Sequence, residues 1–544
     1  MSKVATYLQE HILGEVLTSP AILRAMSHDL SVLEMTPEMV AYPRVTNDIR
    51  KIARFAWQLA EKGHVLPLTA RGNGTDQTGA AIGKGIVIVL PAHMNRILEF
   101  DAKQKLIRLQ PGANAGNVKG ALILQGMAIP SLPAEASYVT MGGAVANNAS
   151  GPFSGKYGDM SAWVSQLEVV LANGDILQTE RLSKRDLNKR KGLQTFEGEI
   201  YRSLDNLIED SRQLIDEKLV SDIRDNVGYS AITKVKRRDG SFDLTPLLVG
   251  SQGTLGIISE MIMKSEFTSL HTAVAVAAFP SKEAARDMLD QFRELAPAFL
   301  EYYDGELFKQ AAVRGKKYVF TKDALEGSLE AVILVGFDDF SEHARRRKLK
   351  KLNKLVDKAD AYAATGDGDT ADELLAVREV TVYAVIPDGK DTSAPPLIDG
   401  AYVPRGRFEE FSIAIDALAE KYHLTLSIHT RALEDIVYLR PVLQMHKVGD
   451  KQKIFKLLDE YSNIVDHFGG HLIGENGEGR VKARFAHKLC EPEVLELFAA
   501  IKAIFDPHGI LNPGVKQVVE VRQLVTHLRS DYDTAAIASY IPYN

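Results

Sequence analysis

The residues Arg71–Gly79 form a loop, RGNGTDQTG, directly after the apolar run 65–70. Glycine lets consecutive backbone N–H groups approach an anion closely, and Thr75 and Thr78 add hydroxyl donors, so the loop could hold a phosphate. It is not the fingerprint of the Rossmann dinucleotide fold, because its third glycine is too far along and no helix is predicted to follow. Taken alone, the loop is more typical of an ordinary turn.

Two further segments share this character. Pro133–Gly151 is a run of 19 residues with few bulky side chains, and Asn147, Asn148 and Ser150 add amide and hydroxyl groups to it. The third segment is Gly250–Ile258. Three such segments within about 190 residues are hard to explain as turns. They predict a long ligand that is held mainly by backbone.

The composition excludes several classes of function. The chain has 544 residues, which predicts two or more domains, and its net charge of -6 provides no basic field for nucleic acid. Its single cysteine, Cys490, allows neither a disulfide nor an iron–sulfur cluster within the chain and is predicted to be structural.

The location predicted from the sequence is cytoplasmic. The first residues lack the apolar core of a signal peptide, and the longest apolar runs, such as Ile86–Leu90, are too short to span a bilayer. Peripheral attachment to the inner face of a membrane is left open.

The elements that must position the three segments follow two patterns. Up to residue 37 the chain is predicted to be helical, and residues 38–265 contain short strands between glycine-rich turns, among them a β-type run over 244–266. From about residue 266, strands alternate with helices, which indicates a sheet with helices on one face. The basic run Arg345–Lys354 is predicted to be a solvated helix face.

The motifs, taken in order, resemble those of one flavoprotein family. The matching stretches are PLTARGNGTDQTG, LPAEASYVTMGGAVANNASG, GKYGDMSAWVSQLEVVLANGDIL, LLVGSQGTLGIISE, GGHLIGENGEGRVK and IFDPHGILNPGVK. They resemble the vanillyl-alcohol oxidase and p-cresol methylhydroxylase (PCMH) superfamily and, within it, the D-2-hydroxy-acid dehydrogenase branch. The resemblance covers about residues 14–516.

The resemblance implies an α+β fold in four parts. They are an N-terminal helical segment (1–37), a PCMH-type FAD-binding domain of two α/β subdomains (38–265), a C-terminal substrate cap with an antiparallel sheet and helices (266–516), and a helical tail (517–544). It also implies FAD as the cofactor. Thr75 stands where some relatives carry a histidine that binds flavin covalently, so non-covalent FAD is expected.

Carried over residue by residue, the resemblance implies a set of FAD-binding positions. They are Arg71, Gly72, Asn73, Gly74, Thr75, Asp76, Gly79, Pro133, Thr140, Gly142, Gly143, Asn147, Ser150, Gly151, Gly256, Ile257 and Asn512. Arg378, in LLAVREVT, matches the arginine that the family uses for the substrate carboxylate, which a guanidinium can bind bidentately.

The catalytic positions depart from the family pattern. Metal-dependent relatives carry two histidines in one segment and Gly-Glu-His-Gly in another, whereas this chain has His429 and Tyr438 in the first and Gly-Glu475-Asn476-Gly in the second. Only His429 and Glu475 remain as metal ligands, so a divalent metal is doubtful. Asn476 cannot take a proton, which leaves His429, or next Glu475, as the predicted proton acceptor. Tyr438 is predicted to bind the substrate oxygen.

The function predicted from the sequence is an FAD-dependent dehydrogenase of a small, anionic 2-hydroxy acid, such as D-lactate, D-2-hydroxyglutarate or glycolate. The sequence also resembles large relatives with a fused iron–sulfur domain. With one cysteine, this chain is expected to carry no cluster of its own, so electrons are predicted to pass to a separate redox protein, a quinone or oxygen. Two alternatives stay open: oxidation of another alcohol in a rebuilt cap site, and a flavin-binding subunit without dehydrogenase activity. Assembly into a homo-oligomer also stays open.

Overall fold

The computed structural model describes residues 3–220, 223–269, 271–318, 320, 329–359, 361–385 and 392–530. They form three main sheets. Two lie in the first half of the chain and the third, of seven antiparallel strands, lies in the second half. The predicted α+β class, with two subdomains followed by a cap, is confirmed.

The first sheet has four strands in the order β1-β2-β4-β3. Its unit comprises α1 (Lys3–His11), β1 (Glu15–Leu17), α2 (Pro20–Ala25), β2 (Met39–Tyr42), α3 (Thr46–Ala60), β3 (Leu68–Arg71) and β4 (Ile86–Val89). Strands β2, β4 and β3 are parallel, and β4 is buried along its whole length. Because β3 ends at Arg71, the glycine-rich loop starts at the carboxyl end of a parallel strand, where α/β sheets bind ligands.

The N-terminal segment is not entirely helical as predicted. Strand β1 pairs antiparallel with β2, and its Val16 is fully buried. The apolar side chain of Val16 is therefore covered by extending the first sheet, which the local pattern of the sequence does not reveal.

The second sheet has five antiparallel strands in the order β5-β6-β10-β8-β9. Its unit comprises β5 (Ile97–Asp101), β6 (Leu106–Leu109), α4 (Ala115–Ile123), β7 (Met127–Ala128), α5 (Met141–Ala146), α6 (Ser154–Tyr157), β8 (Val164–Val170), β9 (Ile176–Gln178), α7 (Lys184–Lys191), α8 (Phe196–Asp210), α9 (Arg212–Lys218), α10 (Thr245–Leu248), β10 (Ile257–Lys264) and β11 (Glu266–Phe267). The run over 244–266, predicted to be β-type, begins instead with helix α10, where a proline stands in the first turn.

The cap sheet has the order β15-β12-β14-β13-β17-β18-β16. The second half comprises β12 (Ala273–Phe279), α11 (Lys282–Arg293), β13 (Phe299–Asp304), α12 (Gly305–Val313), β14 (Ala331–Phe337), α13 (Glu342–Lys358), β15 (Tyr362–Asp367), α14 (Asp369–Leu375), α15 (Val380–Val385), β16 (Ala401–Tyr402), α16 (Phe408–Tyr422), β17 (Leu426–Arg431), β18 (Ile436–Pro441), α17 (Val448–His467), α18 (Ala483–His487), α19 (Pro492–Phe505) and α20 (Val521–Val525). The predicted helical tail thus contains α20, while residues 531–544 lie outside the described residues.

Helices pack on both faces of the cap sheet, not on one face as predicted. Leu289 of α11 and Leu352 of α13 join an apolar cluster on one face. Phe308 of α12 and Ala384 of α15 join a cluster on the other. This second face is apolar at β12 and β14 and becomes polar at β13, β17 and β18.

The basic run Arg345–Lys354 lies on α13, but Arg345 is not solvated as predicted. Its guanidinium is buried, with Nε 3.2 Å from the Asp367 carboxylate and Nη1 donating to the Asp339 carbonyl. Among the described helices, none is both long and apolar enough to cross a bilayer.

Phe299 of β13 lies against Gly336 of β14, its partner in the register. A Cβ at Gly336 would stand 2.1 Å from the Phe299 ring, so this position needs glycine. The Arg378 guanidinium lies 4.3 Å from the centroid of the same ring. The packing of one aromatic ring thus helps to position a predicted site residue.

We expect Gly336→Ala to lower the thermal midpoint, because overpacking at such a site costs about 1–3 kcal/mol. The matched control is Gly120→Ala in α4, where an added Cβ meets open space and alanine favours the helix. Differential scanning calorimetry of the two variants measures the effect. Equal midpoints for Gly336→Ala and the wild type would contradict it.

Candidate active site

A cavity of about 330 Å³ joins the three side-chain-poor segments to the polar face of the cap sheet. It is lined by most of the predicted FAD-binding residues, namely Arg71, Gly72, Asn73, Gly74, Thr75, Asp76, Pro133, Thr140, Gly142, Gly143, Asn147, Ser150, Gly151 and Gly256. Backbone and small side chains make up this wall. Such a wall fits the backbone-held dinucleotide that the sequence predicts.

Three of the predicted FAD-binding residues do not line the cavity. Ile257 is buried in β10, where the next residue, Ile258, faces the cavity instead, because side chains alternate along a strand. Gly79 packs against Leu33. Asn512 is buried behind the wall, and its Nδ2 donates to the carbonyls of Ala80 and Gln252, at 2.9 and 2.8 Å.

Asp76 holds the glycine-rich loop in shape. Its Oδ2 accepts the backbone N–H of Thr78 at 2.9 Å and that of Ala80 at 2.7 Å, and its Oδ1 accepts Asn147 Nδ2 at 3.2 Å. The last bond ties the loop to the second segment. A Cβ at Gly72 would stand 2.2 Å from Thr140 Oγ1, so the first two segments also approach too closely for a larger residue.

Gln252 connects all three segments, although the sequence pattern did not single it out. Its Nε2 donates to Thr78 Oγ1 at 3.2 Å and to Asn147 Oδ1 at 2.9 Å, and its Oε1 accepts the backbone N–H of Gly479 at 2.9 Å. Its φ is 52°, in the left-handed region. In the sequence, the one sign of this role was a long polar side chain among the small residues of the third segment, Gly250-Ser251-Gln252-Gly253.

The opposite wall is built by alternation along three neighbouring strands. Tyr303 of β13, His429 of β17 and Tyr438 of β18 are cross-strand partners, so their side chains share one face of the sheet. The His429 ring stacks between them, with centroids 5.7 Å from Tyr303 and 4.3 Å from Tyr438. All three residues line the cavity.

Ion pairs surround this stack. Arg431 Nη2 lies 2.6 Å from Glu475 Oε2 and donates to Ser150 Oγ at 2.7 Å, and Nε lies 3.2 Å from Glu434. The Tyr438 hydroxyl also donates to Glu475. Burial acts to raise the pKa of Glu475, but Arg431 and the Tyr438 hydroxyl hold that pKa below its usual value. Glu475 is therefore an ionised carboxylate near neutral pH.

Arg378, which the family motif predicts to bind the substrate carboxylate, lines the cavity but already has a protein partner. Its Nε and Nη2 donate to the Glu301 carboxylate over 2.7–3.1 Å in a bidentate pair. The Tyr303 hydroxyl donates to the same carboxylate at 2.5 Å. Glu301 and Tyr303 also line the cavity.

His429 is uncharged near neutral pH. Burial, together with the positive charges of Arg440 and Arg431, holds the pKa of His429 well below its usual value of 6.5. Its Nδ1 is buried without a hydrogen-bond partner among the described residues. A neutral imidazole carries one nitrogen that can accept a proton.

The cavity geometry does not favour a metal on His429 and Glu475. Within the described parts of the chain, no group of three or more His, Cys, Asp or Glu side chains is arranged to hold an ion. Glu475 is instead paired with Arg431 and Tyr438. Asn476 lines the cavity with a φ of 54°.

The Cys490 thiol is half-buried and donates to the Ala486 carbonyl. Burial raises the pKa of Cys490 to about 12, so the thiol is protonated. This environment supports the structural role that the sequence predicted.

Comparisons with known proteins agree with this geometry. Residues 37–180 match the model of the FAD binding domain, and residues 268–515 match that of the C-terminal domain of FAD linked oxidases. D-2-hydroxyglutarate dehydrogenase from Pantoea ananatis is 27% identical over 94% of this chain and 52% of its own length. D-lactate dehydrogenase from Archaeoglobus fulgidus is 28% identical over 88% of this chain and 90% of its own.

A solved structure shows the same fold. p-Cresol methylhydroxylase with substrate bound superposes with a TM-score of 0.67 at 12% identity, covering 94% of this chain and 96% of that one. The two family models together cover most of the chain, which therefore belongs to the FAD-linked oxidases. It spans about half the length of the first relatives that it matches, the D-2-hydroxyglutarate dehydrogenases.

We expect Arg378→Met to destabilise the protein by about 3–5 kcal/mol, because it leaves the buried Glu301 carboxylate without its cation. The double variant Arg378→Met/Glu301→Gln should recover most of that loss. Urea unfolding of the single and double variants measures the coupling. Additive losses in the double variant would show that the pair does not stabilise the fold.

Proposed function

We propose that this protein is an FAD-dependent dehydrogenase of a small 2-hydroxy acid of the D-lactate, D-2-hydroxyglutarate or glycolate type. The observation that carries the proposal is the cavity with two unlike walls. One wall is side-chain-poor backbone, and the other presents arginines and a neutral histidine. The D-2-hydroxy-acid dehydrogenases among its relatives support the substrate class.

The first wall would hold FAD. The loop 71–76 would take the pyrophosphate, and the segments 133–151 and 251–258 would follow the rest of the molecule. When bound, FAD would supply the acceptor for a hydride from the substrate.

With Thr75 in place of a histidine, the cofactor would be non-covalent, and acid precipitation should release the yellow colour into the supernatant.

The second wall would bind and deprotonate the substrate. Arginine side chains would attract the carboxylate. The Tyr438 ring stacks on His429, and its hydroxyl oxygen, which donates its own proton to Glu475, could accept a hydrogen bond from the substrate hydroxyl. The unprotonated ring nitrogen of His429 would accept the proton of the substrate hydroxyl as a hydride leaves the carbon that bears this hydroxyl. Glu475 is the weaker candidate, because Arg431 and Tyr438 already stabilise its ionised form.

The electrons would pass to a separate redox protein, a quinone or oxygen. With its single cysteine, this chain has no set of thiolates for an iron–sulfur cluster of its own. A cytoplasmic location, with or without peripheral membrane attachment, and a homo-oligomeric state also remain proposals.

Two other functions fit the departures at Tyr438 and Asn476. The rebuilt cap site could serve another alcohol, or the chain could be a flavin-binding subunit that has lost dehydrogenation. Both predict a yellow protein, as the leading proposal does.

Anaerobic mixing separates these functions. The FAD-loaded protein is mixed with D-lactate, D-2-hydroxyglutarate and glycolate, and the visible absorbance of the oxidised flavin is followed. Bleaching with one of the acids is the expected result. If none of them bleaches the flavin while dithionite does, the proposed substrate class is wrong.

The rate of flavin reduction should be independent of pH around neutrality, because burial and the charges of Arg440 and Arg431 hold the pKa of His429 well below its usual value of 6.5. It should fall at lower pH, as His429 takes up a proton. His429→Gln should reduce the rate by about 10²–10⁴-fold. Stopped-flow reduction across the pH range measures both.

The control is His467→Gln, at the exposed end of α17 away from the cavity. It should keep the wild-type pH profile. A reduction rate that survives in His429→Gln would remove His429 from the proton transfer.

A further inference from the structure

We propose that the Arg440 guanidinium is the group that binds the substrate carboxylate. The identity of the ligand as a carboxylate rests on the proposed function. Neither the family motifs nor the sequence pattern assigns a role to Arg440. Two observations support this role: the position of Arg440 in the fold, and two guanidinium nitrogens that have no hydrogen-bond partner in the part of the chain that the structure describes.

Arg440 is a buried cation that lines the cavity. It lies on β18, is only 6% exposed, and shares the polar face of the sheet with Tyr438, two residues earlier. Its Nη2 lies 2.9 Å from Asp399 Oδ2. Its Nε and Nη1 are buried without a hydrogen-bond partner among the described residues. A buried charged donor that has no acceptor costs free energy. A carboxylate in the cavity would supply the hydrogen-bond acceptors that these two nitrogens lack.

The other two arginines of this wall also pair with buried carboxylates, but they leave fewer nitrogens unbonded: among the described residues only Nε of Arg431 lacks a hydrogen-bond partner. Arg378 gives Nε and Nη2 to the Glu301 carboxylate. Arg431 lies between Glu475 and Glu434 and donates to Ser150. An incoming carboxylate would have to compete with a buried carboxylate at either position. At Arg440 the paired carboxylate is Asp399, and that contact uses Nη2 only, so Nε and Nη1 stay available to an incoming carboxylate.

The position of Arg440 also suits a 2-hydroxy acid. His429 is the register partner of Tyr438, so His429 and Arg440 are diagonal neighbours on adjacent strands. Diagonal pairs stand about 7–8 Å apart at the backbone, with their side chains on the same face. A hydroxy acid carries its carboxylate and its hydroxyl on adjacent carbons. It can therefore reach the guanidinium with one group and the imidazole with the other.

The charges that face Arg440 come from several elements. Glu135 from the second segment, Asp399 from the chain before β16, and Glu475 from the loop after α17 also line the cavity. With Arg378, Arg431 and Arg440 opposite them, a bound anion meets a mixed field and not a purely positive one. For this reason, the hydrogen bonds from the Arg440 guanidinium, and not the net charge of the cavity, should decide whether a carboxylate binds.

The test compares Arg440→Met and Arg440→Lys with Arg345→Met, all FAD-loaded. Arg345 is a matched control, because it is a buried, ion-paired arginine of the cap outside the cavity. The KM for the hydroxy acid and the KM for its neutral primary amide are measured for each variant. Acetate and oxalate are titrated as unreactive carboxylates, with the flavin spectrum reporting binding.

Arg440→Met should raise the KM for the acid about 100-fold, while the KM for the amide and the FAD content stay unchanged. Arg440→Lys should recover part of the loss, because a lysine keeps the charge but not the planar fork. Arg345→Met should leave both KM values as in the wild type. A KM for the acid within threefold of the wild type in Arg440→Met would overturn the assignment, as would an equal loss for acid and amide.

Failure of the proposed function gives a different result. If no hydroxy acid reduces the wild-type flavin, the anion titration still decides the role of Arg440. Carboxylate binding that is lost in Arg440→Met but kept in Arg345→Met supports it. Absence of carboxylate binding to the wild type, or equal binding to Arg440→Met, contradicts it.

Discussion

Charged side chains that are removed from water must meet opposite charges, and this constraint organises the cap side of the cavity. Arg378, from the short helical turn Ala376–Glu379, meets Glu301 of β13. Arg431 of β17 meets Glu434 and Glu475. Two of these carboxylates, Glu301 and Glu475, also accept hydrogen bonds from the two tyrosines that stack on His429. On the Arg440 guanidinium, two buried nitrogens, Nε and Nη1, have no hydrogen-bond partner among the described residues.

The departures from the family pattern gain a physical meaning in this setting. Tyr438, at the place of a histidine in metal-dependent relatives, stacks on His429 and donates to Glu475. The positive charge beside Glu475 comes from Arg431. The change at Tyr438, which looks like a loss in the sequence, thus belongs to one connected arrangement of hydrogen bonds and ion pairs.

The sequence predicted the FAD side of the site better than the cap side. A wall made of backbone can be recognised from the local sequence, because glycine and other small residues cluster at 71–79, 133–151 and 250–258. On the cap side, Arg378, His429, Tyr438, Glu475 and Asn476 were found through the family motifs, and all of them line the cavity. Glu301, Tyr303, Arg431 and Arg440 were missed.

The missed residues share one cause. Each lies at an alternate position of a strand, and its importance depends on which strands are neighbours and in which register. Strand order brings β13 beside β17, although more than 120 residues separate them in the chain. The same non-local pairing explains why β1 and the burial of Arg345 were not predicted.

A crystal structure of the FAD-loaded protein with a bound 2-oxo acid tests the central claim most directly. The claim is that one cavity brings backbone-held FAD and a polar sheet face together around one small acid. Density for FAD along 71–76, 133–151 and 251–258, with the acid between it and His429 and its carboxylate on Arg440, is the result expected. FAD in another cleft, or an acid held away from the strands β17 and β18, would contradict it.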